Sequence, residues 1–271
     1  MLDKEVVLEL VIKEGAALRF VPKNLMDEHI CWMAVFQFPD ALQFVPEEII
    51  DSEICVEAVN QDGMALKYVP KEIIDGYICR TAVFRSPDAL QFVPKEIIDG
   101  YICRIALVQS PDALQFVPKE IMNKKMCWAA VNQDEMVLKY VPENIIDKEM
   151  CWAAVNQDGI ALQYVPKSII DKEICIEAVK QCWHALKYVP ENIMDKEMCL
   201  EAVKHNGCAL QYVPENIIDK EICLEAVKHS RYALECVPEE LREEVLKELE
   251  KMKNDDEDTV QVLEDSDSKI R

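Results

Sequence analysis

The sequence predicts an all-α fold: an α-solenoid of ten 24-residue, two-helix repeats closed by a C-terminal capping helix. Three observations carry that expectation. A Val-Pro pair stands at Val21-Pro22 and returns every 24 residues as far as Val237-Pro238, without an insertion or deletion. Each unit opens on a residue that favours helix starts, namely Asp3, Asp27, Asp51, Asp75, Asp99, Asn123, Asp147, Asp171, Asp195 or Asp219. Counting that residue as position 1, positions 4, 5, 8 and 9 are apolar in nearly every unit, which is one face of a helix. A unit this short cannot hide its apolar face alone, so the ten units tiling residues 3–242 must lean on one another.

The first helix of each repeat begins at the cap, whose side chain accepts from exposed N–H groups of the first turn. An acidic residue, common at position 3, suits the positive end of the helix dipole. Alanine at position 8 lets a neighbouring helix come close. Position 13 stops the helix. Gly15, Gly63, Gly159 and Gly207 are expected in the left-handed conformation of a helix C-terminus. Pro39, Pro87 and Pro111 push the preceding residue out of helix, with Asp40, Asp88 and Asp112 placed to cap the second helix. Glu135, Trp183 and Arg231 fit neither pattern.

Positions 15 to 18, as in Ala209-Leu210-Gln211-Tyr212, read as a short second helix that carries Ala and Leu inward. Val-Pro ends it, and a turn such as P-E-N-I-I leads to the next cap. The aromatic residue at position 18 (Phe44, Tyr68, Phe92, Phe116, Tyr140, Tyr164, Tyr188, Tyr212) is assigned to packing between repeats.

Past the tenth repeat, Leu241, Val245, Leu249 and Met252 keep helical spacing, so residues 239–253 are expected to cap the stack. Residues 254–271 are acidic and aperiodic, and are expected to be disordered. The first repeat, with Val7 in the cysteine slot and Leu10 in the alanine slot, reads as a modified cap.

Half of the residues are hydrophobic, and 51 acidic residues against 30 basic ones give a net charge of -21. That surface repels phosphate backbones and anionic lipid, so neither direct nucleic-acid binding nor membrane binding is expected. It suits a basic partner or a mimic of nucleic acid. No apolar run approaches the roughly 18 residues of a spanning helix, and the N-terminus lacks the plan of a secretory signal. A cytoplasmic location is expected.

Nine of the twelve cysteines, Cys31, Cys55, Cys79, Cys103, Cys127, Cys151, Cys175, Cys199 and Cys223, share position 5. Stacked helices lie about 8 to 10 Å apart, beyond the roughly 7 Å Cα separation that a disulfide tolerates. These cysteines therefore read as small buried hydrophobes in a reducing compartment.

Catalytic chemistry has little to work with. No phosphate-cradling glycine loop, nucleophile elbow, C-x-x-C or H-E-x-x-H is present. Cys182, His184, His205, Cys208 and His229 lie near one another in repeat space, yet equivalent positions one repeat apart start too far apart for ready convergence on a metal. No enzyme activity, catalytic residue, metal or other cofactor is expected.

Comparing the repeats with one another separates two faces. The apolar positions cluster on one side of the first helix, and the changing positions 3, 6, 7 and 10 lie opposite. In repeats 8 to 10 these hold Glu and Lys pairs such as Glu201 with Lys204, which is ordinary solvation. In repeats 2 to 7 they hold Trp32, Met33 and Phe36, then Tyr77, Arg80 and Phe84, then Tyr101, Arg104 and Ile105, then Trp128 and Trp152. Trp, Tyr and Arg are favoured at the centres of interfaces. These eleven residues form the candidate partner-binding face, the competing reading being that a neighbouring helix covers them.

The string A-V-x-x-x-G-x-A-L-x-x-V-P, as in Ala202-Val203 through Val213-Pro214, resembles a tandem helical-repeat family of unknown function from bacterial effector-like proteins and giant viruses. The resemblance covers all ten repeats. It implies an α-helical array and interaction with host or partner proteins, and supplies no catalytic residue; the acidic C-terminus is similar to a bacterial translocation signal, which would imply delivery into a host cytosol. The expected function is thus a non-enzymatic protein-binding scaffold, with an effector-type role implied by the resemblance. Two alternatives stay open: an acidic nucleic-acid mimic that inhibits a nucleic-acid-binding enzyme, such as a phage-encoded counter-defence protein, and a self-assembling homo-oligomer.

Overall fold

The structure is a computed structural model and describes residues 3–255. It is an all-α solenoid of tandem repeats, with no β-strand among the described residues. The first helices of the repeats are α1 (Lys4–Lys13), α2 (Glu28–Gln37), α3 (Ser52–Gln61), α4 (Gly76–Arg85), α5 (Gly100–Gln109), α6 (Lys124–Val131), α7 (Lys148–Gln157), α8 (Lys172–Gln181), α9 (Lys196–His205) and α10 (Lys220–His229). After the tenth repeat comes α11 (Glu239–Asp255). The chain divides into two compact units, residues 1–145 and 146–271. In the first, α1 to α6 stack in sequence order; in the second, α7 to α11 do the same.

The helix starts follow from the caps. In each repeat the position 1 side chain accepts from a backbone N–H two or three residues on, for example Asp51 Oδ1 from Ile54 at 2.9 Å and Asp75 Oδ1 from Ile78 at 2.8 Å. The position 5 N–H then donates to the cap's own carbonyl, as Cys79 does to Asp75 at 3.1 Å. Replacing Asp51 by alanine strips this acceptor and is expected to cost about 1 kcal/mol, read by denaturant titration.

Positions 4, 5, 8 and 9 form the core. Ile78, Cys79, Ala82 and Val83 of α4 and Ile174, Cys175, Ala178 and Val179 of α8 are all buried, and repeats 2 to 10 follow them except at the half-buried Met126. In α1 only Val7 and Val11 are buried, while Val6 and Leu10 stand exposed. At the other end α11 packs on α10, burying Val245 and leaving Met252 exposed. That helix runs to Asp255, so Asn254 and Asp255 are helical; the rest of the acidic segment expected to be disordered lies outside the described residues.

The second element differs from the expectation. It is a six-residue 3-10 helix that starts at position 13 and ends at the aromatic of position 18, as in Gly63–Tyr68 and Pro87–Phe92. Ala and Leu at positions 15 and 16 do turn inward; Ala89 and Leu90 are buried. Glu135, Trp183 and Arg231 start the same element as Gly and Pro do.

Two further expectations are corrected. No glycine has a positive φ, so Gly15, Gly63, Gly159 and Gly207 are not left-handed caps. The helix ends instead at position 12, which is extended in nearly every repeat and donates its N–H to the position 8 carbonyl. What demands glycine is the next repeat: a Cβ on Gly63 would overlap the carbonyl oxygen of Ala82, and Gly15, Gly159 and Gly207 meet Ala34, Ala178 and Ala226 in the same way. Position 13 thus sets the spacing between neighbouring repeats.

The second correction concerns Asp40, Asp88 and Asp112, which do not cap the 3-10 helix but lie within its first turn. Where a side-chain cap exists it is at position 12, with Asp62 accepting from Met64, Asp134 from Met136, Asp158 from Ile160 and Asn206 from Cys208.

An ion-pair ladder joins successive repeats. Lysine at position 2 reaches the cap aspartate of the following repeat, as in Lys4 to Asp27 at 2.8 Å, Lys148 to Asp171 at 2.6 Å, Lys172 to Asp195 and Lys196 to Asp219. Lys220 ends the ladder on Glu244 and Glu248 of α11. The Lys4 ammonium and then the Ile30 N–H hold the Asp27 carboxyl below its ordinary 3.8, and the Lys172 ammonium lowers Asp195 likewise. A depressed folded pKa means stability that is complete above the unfolded value and lost as pH falls through the folded one. Against this, the chain sheds self-repulsion as pH falls toward its pI of about 4.6. Thermal melts are therefore expected to hold or rise from neutral pH toward the pI and to fall below the ordinary aspartate value of 3.8.

Candidate partner-binding face

The outward positions of the first helices are set by the core. With positions 4, 5, 8 and 9 fixed inward, positions 3 and 10 point to solvent and positions 6 and 7 lie at the flanks. The candidate residues obey this rule. At positions 3 and 10, Tyr77 is 56% exposed, Tyr101 53%, Phe84 62% and Phe36 50%; Val108, at the same position as Phe84, is 69% exposed. At positions 6 and 7, Trp32, Met33, Arg80, Ile105, Trp128 and Trp152 are half-buried, and Arg104 is exposed. None of the eleven is sealed in the core.

The structure brings some of them together. Because α4 packs against α5, Tyr77, Arg80 and Phe84 share one face with Tyr101, Arg104, Ile105 and Val108. The Arg104 guanidinium lies 5.5 Å from the centre of the Tyr101 ring, a cation-π contact. Arg80 folds back over Gly76, where a Cβ would come within 2.9 Å of Nη1. Trp128 follows on α6, which packs on α5.

Trp32, Met33 and Phe36 on α2 are set apart from this group by α3, whose equivalent positions hold Val56, Glu57 and Asn60. Trp152 belongs to the second compact unit. The face is therefore centred on α4 and α5.

Other exposed aromatic side chains were not singled out by position. Phe20 carries the position 18 aromatic of the first repeat and is exposed, with Arg19 4.6 Å from its ring centre. Its counterparts Phe44, Tyr68, Phe92 and Phe116 are half-buried. Phe20 is thus the one exposed member of this set among the described residues of repeats 1 to 5. Phe38 and Tyr232 are exposed as well, and sequence comparison between repeats did not flag them.

The residues considered for metal binding sit apart. Cys182 Sγ lies 3.8 Å from His184 Nδ1, and His184 stacks on Trp183. His205 and His229 instead face Glu201 and Glu225 one turn back on their own helices. Among the described residues no group of three His, Cys, Asp or Glu side chains could hold a metal ion. The nine position 5 cysteines are buried, and burial raises their thiols to about 11 or 12.

Among the described residues no helix is long and apolar enough to cross a membrane. No curated protein matches the chain. Residues 3–50, 27–74, 147–194 and 195–242 each match one family over two consecutive repeats, together more than half of the chain. By the 24-residue register and these matches, the chain belongs to the family described as a domain of unknown function, DUF4116.

Proposed function

We propose that the protein is a non-enzymatic scaffold that recognises a partner protein through the outer face of the first helices of repeats 2 to 7. The supporting observation is the cluster on α4 and α5, where Tyr77, Phe84, Tyr101 and Val108 stand more than half exposed on adjoining helices. Large apolar side chains scattered singly over a surface need no explanation, whereas a contiguous group flanked by arginines has the composition of an interface centre. Arg80 and Arg104 fix orientation, Trp32 and Trp128 extend the recognition surface on their own helices, and Trp152 offers a contact of its own in the second unit. The cytosol, or a host cytosol if the protein is delivered as an effector, is the proposed place of action.

The test is a Tyr77→Asp/Tyr101→Asp chain compared with wild type in capture from a cell lysate. A protein retained by wild type should be lost from the variant, while helical content and melting temperature stay within about 2 °C, the change expected of exposed positions. Equal capture by both chains would refute the reading. A collapsed melting transition would show that the tyrosines belong to the core.

A further inference from the structure

We infer that the face of α4 to α6 is selective for an acidic peptide segment, a preference opposite to that of the chain as a whole; this rests on the protein-binding reading of that face and names its partner's chemistry.

The helices α4 (GYICRTAVFR), α5 (GYICRIALVQ) and α6 (KKMCWAAV) contain no aspartate or glutamate, whereas each of the other eight α-helices contains at least one. In a chain of net charge -21 they form a positive island. Arg85, Arg104 and Lys125 are exposed on it and Arg80 is half-buried. Among the described residues none of these four lies within ion-pairing distance of a carboxylate. The position 2 lysine of the ladder is missing from α2 to α5, which carry Glu28, Ser52, Gly76 and Gly100 there, so the cations of α4 and α5 are not ladder members.

The acidic groups nearest in sequence are already engaged or displaced. Asp75 accepts from Ile78, and Asp99 accepts from Tyr101 at 2.9 Å and Ile102 at 2.8 Å. Glu72, Glu96 and Glu120 lie in turns, each next to a lysine (Lys71, Lys95, Lys119), and Asp88 and Asp112 lie on the 3-10 helices.

Between the cations stand Tyr77, Phe84, Tyr101, Val108 and the half-buried Trp128. Guanidinium groups pair with carboxylates in a planar fork and lose less on desolvation than an ammonium. The aromatic and aliphatic side chains give a ligand's apolar residues somewhere to go. The matching ligand alternates carboxylates with apolar residues. A long polyphosphate fits less well: its charge continues past the island onto α2 and α3, where Glu28, Glu53 and Glu57 repel it. A short peptide confines its charge to the island, within about 8 Å of the cations at physiological salt.

The experiment is fluorescence anisotropy on the full chain with three labelled probes. The first is a peptide of about twelve residues in which Asp and Glu alternate with Leu and Phe, the second has Lys in place of every acid, and the third is oligothymidylate of the same length. The acidic peptide should bind, weaken about tenfold as salt rises from about 0.05 to about 0.5 M, and lose at least about thirtyfold on Arg80→Glu/Arg104→Glu. The melting temperature of that variant should not change. Preference for the basic peptide or for oligothymidylate would overturn the inference, as would acidic-peptide binding that persists in the glutamate variant. If the acidic peptide fails while Tyr77→Asp/Tyr101→Asp still abolishes capture, only the acidic assignment falls; if both fail, the face itself does.

Discussion

A Gly63→Ala chain is expected to be less stable than wild type by about 2 to 3 kcal/mol, although alanine is ordinarily the better residue in a helical segment. The backbone at Gly63 is not left-handed, so the cost does not come from φ. It comes from the neighbour. The added methyl would overlap the carbonyl oxygen of Ala82 and approach its carbonyl carbon and Ser86 Cβ to 2.9 Å. Two of those three atoms are backbone on α4, so relief requires α3 and α4 to part. Reduced freedom of the unfolded chain returns only about 0.4 to 1 kcal/mol. Gly100→Ala is the control. It sits at the start of α5, where the new methyl meets only the flexible end of Met126 at 3.3 Å, and it should be neutral or stabilising by about 0.5 kcal/mol. Equal effects of the two substitutions in denaturant titration would remove position 13 as the element that sets repeat spacing.

This position also marks how far the fold could be read from letters. The period, the caps and the buried positions were all legible, because each is decided within one repeat: Asp51 bonds Ile54 on its own helix, and Ile54, Cys55, Ala58 and Val59 face one way by helical geometry. The glycines were legible as special and misread in mechanism. A helix ending in glycine suggests a left-handed cap, while the actual constraint is a carbonyl 19 residues further on, from Gly63 to Ala82, which only packing reveals. The 3-10 form of the second element was hidden for a similar reason, since Ala-Leu-x-aromatic has no periodicity long enough to distinguish helix types.

The candidate face was legible in part. Tyr77, Phe84 and Tyr101 were found by comparing repeats, and their exposure follows from the same helical wheel. Its charge was missed because the total of -21 conceals a local reversal; counting acids helix by helix isolates α4, α5 and α6 at once.

Thiol labelling of the native chain should separate its twelve cysteines into two classes whose rates differ by at least about a hundredfold. Cys182, Cys208 and Cys236 lie on the 3-10 side of repeats 8 to 10 and are partly accessible, and burial, followed by the charge of Cys208, raises the Cys236 thiol. The other nine are buried, and burial pushes Cys79, for instance, up to about 11, so that at pH 8 only on the order of one thiol in a thousand is ionised. Their labelling must wait for the repeats to part. Each buried cysteine thereby reports the opening of its own repeat, as hydrogen exchange reports local unfolding elsewhere. The two predictions join here: in Gly63→Ala the loosened contact lies between α3 and α4, so Cys55 and Cys79 should label earlier than Cys175, which sits in the other compact unit. Simultaneous labelling of all nine would mean that the stack opens as one body and that the contact at position 13 does not divide it.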